Sequence, residues 1–377
     1  MKRLSLIACG AFAAMALIVA CEPLAGGADP ESSLYADNVV VVDDGISAAV
    51  IWTAGSVYLV DGYIRVSNGA TLSIEPGAVV KFTAMSVLDI EAGGQVAAIG
   101  TAAAPIVFTS YRDSAAGGDS ILNDGSSAPA SGDWCGLAVE PGSSGNQFAH
   151  CEFRFGGRGG IAALKVSGTA AVDGCTFRDN LGGHPYDSDA DYATLDASEA
   201  GSTTTVTNCV FYRNRWPLGI AVEMDLDATN AFSYDEDGSG TIDADEDNVH
   251  QAVYVNYGDI TGSVTWAEAE VPLCFFGYLV RVKNTGTLTI ASGAVLKNSM
   301  SDFDFDYGST VDRTGATFTS FRDDSLSGDT NADGTASGPS DGDWYGVYVQ
   351  ASDDSWDYLT RNNATGAVRY SYYTAGD

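Results

Sequence analysis

Residues Gly62–Phe82 read GYIRVSNGATLSIEPGAVVKF, and residues Gly277–Lys297 read GYLVRVKNTGTLTIASGAVLK. The first copy continues into FTSYRD at Phe108–Asp113 and GDWCG at 132–136; the second continues into FTSFRDD at Phe318–Asp324 and GDWYG at 342–346. In each copy apolar residues alternate along short runs (Ile64 and Val66, Leu72 and Ile74; Val280 and Val282, Leu288 and Ile290), and Gly or Asn turns separate the runs. Alternation with period two is the pattern of strands with one dry face. A duplication of this length, with matched turns, points to stacked repeats rather than a compact enzyme domain.

The step between repeats is legible further along. Cys151-Glu152-Phe153, Cys175-Thr176-Phe177 and Cys209-Val210-Phe211 share the form Cys-x-Phe, which places Cys and Phe on the same, inward face of a strand. Cys151 and Cys175 are 24 residues apart, and the same step relates Ile64 to Leu88, Val66 to Ile90 and Leu72 to Val96. The gap from Cys175 to Cys209 is longer, and the surplus is the polar stretch HPYDSDADYATLDASEAGS at 184–202. Asn180 and Asn214 follow Cys175 and Cys209 at one offset, where a turn with left-handed backbone is expected.

Short alternating strands at this period resemble those of bacterial secreted right-handed parallel β-helix proteins, over about residues 50–377. The expected fold is all-β: a duplicated solenoid in which each coil buries its apolar side only by stacking on the next. The expected organisation is a first repeat region at 36–224, an insertion at 225–250 and a second repeat region at 251–377. In this setting Cys151, Cys175 and Cys209 form a ladder of small buried hydrophobes, with disulfides between rungs as the alternative. Setting aside Cys9 and Cys21, five cysteines remain, with Cys135 and Cys274, and an odd number argues against a complete disulfide framework. Acidic excursions at Asp113–Ser131, Asp225–Asp247 and Asp323–Asp341 interrupt the scaffold, and function is expected there. The second copy stops early: Ala367–Tyr372 takes the place of His150–Phe155, which leads us to expect a truncated chain or a partner over the last coil.

The N-terminus, MKRLSLIACGAFAAMALIVAC, has two basic residues, a short apolar run and small residues before Cys21, and it resembles a bacterial lipoprotein signal. That resemblance implies cleavage before Cys21, lipid attachment to its thiol, a tether over 21–35 and a place in the cell envelope, on a membrane or the cell surface. Loss of residues 1–20 would remove Lys2 and Arg3 and no acid, taking the net charge from −32 to −34. So acidic a surface repels nucleic acid and anionic headgroups and attracts divalent cations.

Asp235-Glu236-Asp237-Gly238-Ser239-Gly240-Thr241-Ile242-Asp243-Ala244-Asp245-Glu246 resembles the twelve-residue calcium loop of the EF-hand family. The resemblance implies Ca²⁺ bound by Asp235, Asp237, the Ser239 hydroxyl, the Thr241 carbonyl, Asp243 and bidentate Glu246. The flanks depart from the family. No amphipathic helix precedes Asp235, and His250–Val255 reads as a strand, so a structural site is expected rather than a switching helix pair. Asp329-Thr330-Asn331-Ala332-Asp333-Gly334 is similar to the start of dockerin-type calcium loops, which implies Asp329, Asn331 and Asp333 as ligands; its twelfth position is Ser340, with Asp341 one place late. The corresponding Asp119, Asn123, Asp124 and Gly125 are expected to form a plain turn.

Catalytic signals are sparse. His150, His184 and His250 stand in no nucleophile or zinc-ligand spacing, and the chain has no phosphate-binding or dinucleotide motif. Pectate-lyase-like enzymes share the β-helix and use an acid cluster holding Ca²⁺ with an arginine base, so Arg154, Arg178 and Arg213 beside Asp187, Asp189 and Asp191 form a candidate set. Arginines on an outward face more simply balance charge. Trp134 and Trp344 could stack on sugars, although their matched place in both copies suits a core role. The expectation is a lipid-anchored surface protein, structural, adhesive or glycan-binding, with a polysaccharide or surface protein as partner; the alternative is a calcium-dependent polysaccharide lyase or glycoside hydrolase on the same scaffold.

Overall fold

The computed structural model describes residues 35–121, 128–182, 193–199, 203–277 and 279–353, with the backbone of 356–360, 368–369 and 373–374. The signal-like segment, Cys21 and the rest of the tether up to Leu34, and Asn123, Asp124, Gly125, His184 and Asp187–Asp191 lie outside them. All described strands belong to β-sheets, and no helix occurs among the described residues. The chain divides into two compact units after Leu181.

In the first unit the chain visits three parallel sheets in turn. One contains Val39–Val42, Val57–Val60, Val79–Phe82, Ile106–Ser110, Cys151–Arg154 and Thr176–Arg178; the second Tyr63–Val66, Val87–Ile90, Gly136–Val139 and Leu164–Val166; the third Val50–Trp52, Thr71–Ile74, Gln95–Ile99, Asn146–Ala149 and Ala170–Asp173. Ile64 pairs with Leu88, Leu72 with Val96, and Phe153 with Phe177, so the 24-residue step is one coil. The fold is a right-handed parallel β-helix, as expected for parallel crossovers. The second unit repeats the plan: Leu195–Ala197, Leu218–Ile220, Val253–Val255, Leu273–Phe276, Val295–Ser299 and Thr317–Ser320 form one sheet, with shorter sheets through Leu279–Val282 and Thr287–Ile290 beside it.

Each dry interior is a set of side-chain ladders. Phe108, Phe153 and Phe177 stack with ring centroids 4.6 and 4.9 Å apart, close to the spacing of adjacent strands. Cys151 and Cys175 lie on adjacent rungs, with the Cys151 amide donating to Cys175 Sγ at 3.4 Å; all five described cysteines are buried thiols, and none is joined in a disulfide. The turns are tight enough to demand glycine: a Cβ on Gly94 would lie 2.2 Å from the Val66 carbonyl oxygen, and one on Gly286 2.4 Å from that of Ile260.

Two expectations need correction. Asn180 and Asn214 do not adopt left-handed backbone; Asp179 (φ 57°) and Arg213 (φ 52°), one residue earlier, do. The asparagine side chain is instead turned inward to satisfy main chain: Asn180 accepts from the Gly156 amide and donates to the Phe153 carbonyl, each at 2.9 Å. Nor does Val368–Arg369, the described part of Ala367–Tyr372, continue the coil as a parallel rung. Val368–Arg369 pairs antiparallel with Thr317–Ser320, Tyr373–Thr374 with Thr310–Asp312, and Trp356–Thr360 with Gly346–Gln350, so returning strands of the same chain meet these edges.

Candidate metal centre

The outer faces of several strands are buried as well as the inner ones, because the acidic excursions fold back over them. Lys81 occupies an outward position in Val79–Phe82, yet it is fully buried and its Nζ donates to the Gly118 carbonyl. Burial lowers its pKa to about 8. The counterpart in the second unit, Lys297, is equally buried and donates to the Gly328 carbonyl at 2.8 Å and to Thr330 Oγ1 at 2.7 Å. Both excursions begin and end on the same contacts. Thr109 donates to Asp113 and Ser110 to Asp133 in the first unit; Thr319 donates to Asp323 and Ser320 to Asp343 in the second. The repeated FTS(Y/F)RD and GDW motifs are therefore the two clasps of a cover loop. Trp134 is fully buried, stacked at 4.1 Å on Phe82 with its indole N–H on the Arg154 carbonyl, and Trp344 is 3% exposed, so both belong to the core.

Asp235–Glu246 in the second unit forms a closed loop. Asp235 accepts from the amides of Ser239 and Gly240 at 3.0 and 2.8 Å, Asp237 accepts from Ser239 at 2.8 Å, and Glu246 accepts from Glu236, Asp237 and Asp243 at 2.7, 3.2 and 3.0 Å. These bonds aim three carboxylates inward: oxygens of Asp235, Asp237 and Glu246 lie within 4.8 Å of one another, with Glu246 only 5% exposed. The Ser239 amide and hydroxyl hold the Asp237 carboxyl below its usual range. Ser239 Oγ and the Thr241 carbonyl are bonded to each other at 3.0 Å, and Asp243 is exposed and outside the carboxylate cluster. No helix flanks the loop: turns and isolated bridges at Leu226 and Ala231 lead into it from Leu218–Ile220, and of the expected strand His250–Val255 only Val253–Val255 is one. Arg213 pins the loop from outside through Glu236 while lying 4.9 Å over the Tyr212 ring.

The Asp329 loop repeats this geometry. Asp329 accepts from the amides of Asp333 and Gly334 at 3.1 and 2.7 Å, the same positions served by Asp235. Here sequence reasoning missed a residue. Asp324, five residues before the loop, brings a carboxylate oxygen within 4.8 Å of those of Asp329 and Asp333, supplying the acid that Ser340 cannot. Partial burial and the neighbouring Asp329 raise its pKa. Asn331 donates through Nδ2 to Asp333 and Ser337, while its Oδ1, like Asp324 Oδ1, is buried without a hydrogen-bond partner. A carboxylate oxygen and a carbonyl oxygen left in that way fit a hard cation, which takes oxygen ligands alone. The first unit has Ser114, Ile121 and Asn123 at the places of Asp324, Asn331 and Asp333, so its loop keeps the clasps without the donors.

The candidate arginines are engaged elsewhere. Arg154 is 7% exposed, ion-paired with Asp113 at 2.6 Å and Glu152 at 3.1 Å under the cover loop, a correction to the expected solvated face. Arg178 pairs with Glu152 and Asp179, each at 2.6 Å.

Residues 44–215 match the model of the family described as pectate-lyase like beta helix domain. Comparison with curated proteins and with solved structures returned no match. The matched segment covers the coils of the first unit and the start of the second, and with the parallel sheets described above it makes this chain a parallel β-helix protein.

Proposed function

We propose that the chain is a lipid-anchored protein of the cell envelope, exported and held to a membrane through Cys21, whose β-helix displays calcium-braced loops and binds polysaccharide or another surface protein. The observation that carries the calcium part is the convergence of Asp235, Asp237 and buried Glu246 in a loop with the EF-hand residue pattern. Asp235, Asp237, Ser239, Thr241, Asp243 and Glu246 would hold one ion, and Asp324, Asp329, Asn331 and Asp333 a second. Bound Ca²⁺ would neutralise these carboxylates and cross-link each loop, with the submillimolar to millimolar affinity usual for extracellular modules. The binding part is supported by the likeness of residues 44–215 to a pectate-lyase-like domain. At net charge −34 after cleavage before Cys21, an anionic polysaccharide would be held only where Ca²⁺ bridges it to the protein.

The second reading, a polysaccharide lyase or glycoside hydrolase, draws on the same likeness. Against it stand Arg154 and Arg178, both locked in ion pairs with neighbouring acids. A panel of acidic and neutral polysaccharides, incubated with the protein and Ca²⁺ and followed for both retention and new chain ends, separates the two. Retention without new ends is expected. Unsaturated or reducing ends, lost on Arg178→Ala, would replace the binding reading with the catalytic one.

A further inference from the structure

The two acidic loops are distant in sequence, yet one side chain joins them. His250 stands four residues after Glu246, and its Nδ1 lies 2.9 Å from the carbonyl oxygen of Thr330, the residue between Asp329 and Asn331. A carbonyl only accepts, so Nδ1 carries the proton. Both ends of this contact are stiff. Between Glu246 and His250, buried Asn248 donates to the carbonyls of Phe211 and Phe232 and to Gln251, and it accepts from the amide and side chain of Asn214. The His250 amide is bonded to the Arg215 carbonyl at 2.9 Å, and its ring lies 4.8 Å from that of Trp216. On the other side Thr330 is 1% exposed and held through its hydroxyl by Lys297. The two loops are thus linked by a short, partly buried, hydrogen-bonded path through Asn248, His250 and Thr330.

We propose that the two loops bind Ca²⁺ as a coupled pair through the His250–Thr330 contact, each ion raising the affinity of the other loop; this rests on the calcium reading above. The sign follows from ordering. Closing one loop around an ion fixes His250 and Thr330 relative to each other, so the second ion orders a segment already held. By linkage the effect is the same in both directions.

The test is a calorimetric titration of the full chain with Ca²⁺ alone. In an otherwise native chain, Asp329→Asn with Asp333→Asn should weaken binding at the Asp235 loop by about fivefold or more. In a His250→Phe background, which keeps a ring against Trp216 but no donor, the same pair of changes should leave that loop's affinity unaltered. His250→Asn, whose amide N–H can take the place of Nδ1–H, should restore the coupling; a cooperative melt in far-UV circular dichroism checks that each variant is folded. Two loops that bind independently in the native background overturn the coupling and leave the calcium reading standing. Coupling that survives His250→Phe overturns the assigned path. No binding at either loop overturns both.

Discussion

Lys81 shows how a residue's surroundings escape a one-dimensional pattern. In Val79-Val80-Lys81-Phe82 the alternation correctly sends Lys81 outward, and an outward lysine suggests solvent. It is buried because a segment more than thirty residues later returns over it and offers the Gly118 carbonyl, a contact set by tertiary folding alone. The sign of the consequence is clear. With a folded pKa of about 8 against the ordinary lysine value of 10.5, the unfolded chain binds more protons between those values, so stability rises with pH across that window. At about 1.4 kcal/mol per pKa unit the full rise is about 3 kcal/mol, with the penalty complete below pH 8. Urea unfolding at pH 7 and pH 9.5 should show about 2 kcal/mol of this rise in the native chain, and Lys81→Met should flatten it; an equal slope in the variant would contradict the burial of the charge. Phe153, by contrast, was legible from Cys-x-Phe spacing. Stacked between Phe108 and Phe177, it should lose about 3–5 kcal/mol of stability on change to alanine, measured the same way.

The strands follow from alternation and turn residues, since both are local; the cover loops do not. FTS(Y/F)RD and GDW are visible as repeats, yet only the structure shows that Ser110, Arg112 and the Ala130 amide converge on Asp133, and that Ser320, Arg322 and the Ser340 amide converge on Asp343. For the same reason Asp324 was invisible as a donor: it lies outside the twelve-residue frame and reaches the Asp329 loop through the fold of the cover. Asp133→Ala leaves the buried Ser110 hydroxyl without its acceptor, a loss that costs about 1–3 kcal/mol. Limited proteolysis should then cut within 113–131 faster than in the native chain. Unchanged cleavage would mean that Asp133 is not a clasp.

Across the whole molecule, duplication has kept the scaffold and the clasps while the acids of the loops have diverged. Both metal-type clusters among the described residues lie in the second unit, so Ca²⁺ should stabilise that unit and leave the first unchanged. At a hundredfold excess over its dissociation constant a site adds about 2.7 kcal/mol, and Asp235→Ala with Glu246→Ala should remove that loop's share of the calcium-induced rise in thermal midpoint and, through the coupling, reduce the share of the Asp329 loop. The duplication and the Asp235 loop could be read from the chain because both are contiguous patterns; the second site could be read only in part, because one of its acids comes from elsewhere. Hydrogen exchange of the full chain with and without about 1 mM Ca²⁺ tests both the stacked coils and their braced loops. The account predicts slow amides along Val57–Ser110 and Leu273–Ser320 in either condition, with Ca²⁺ slowing exchange at 235–246 and 324–337 only. Rapid exchange along those strands, or no response to Ca²⁺ at either loop, would contradict it.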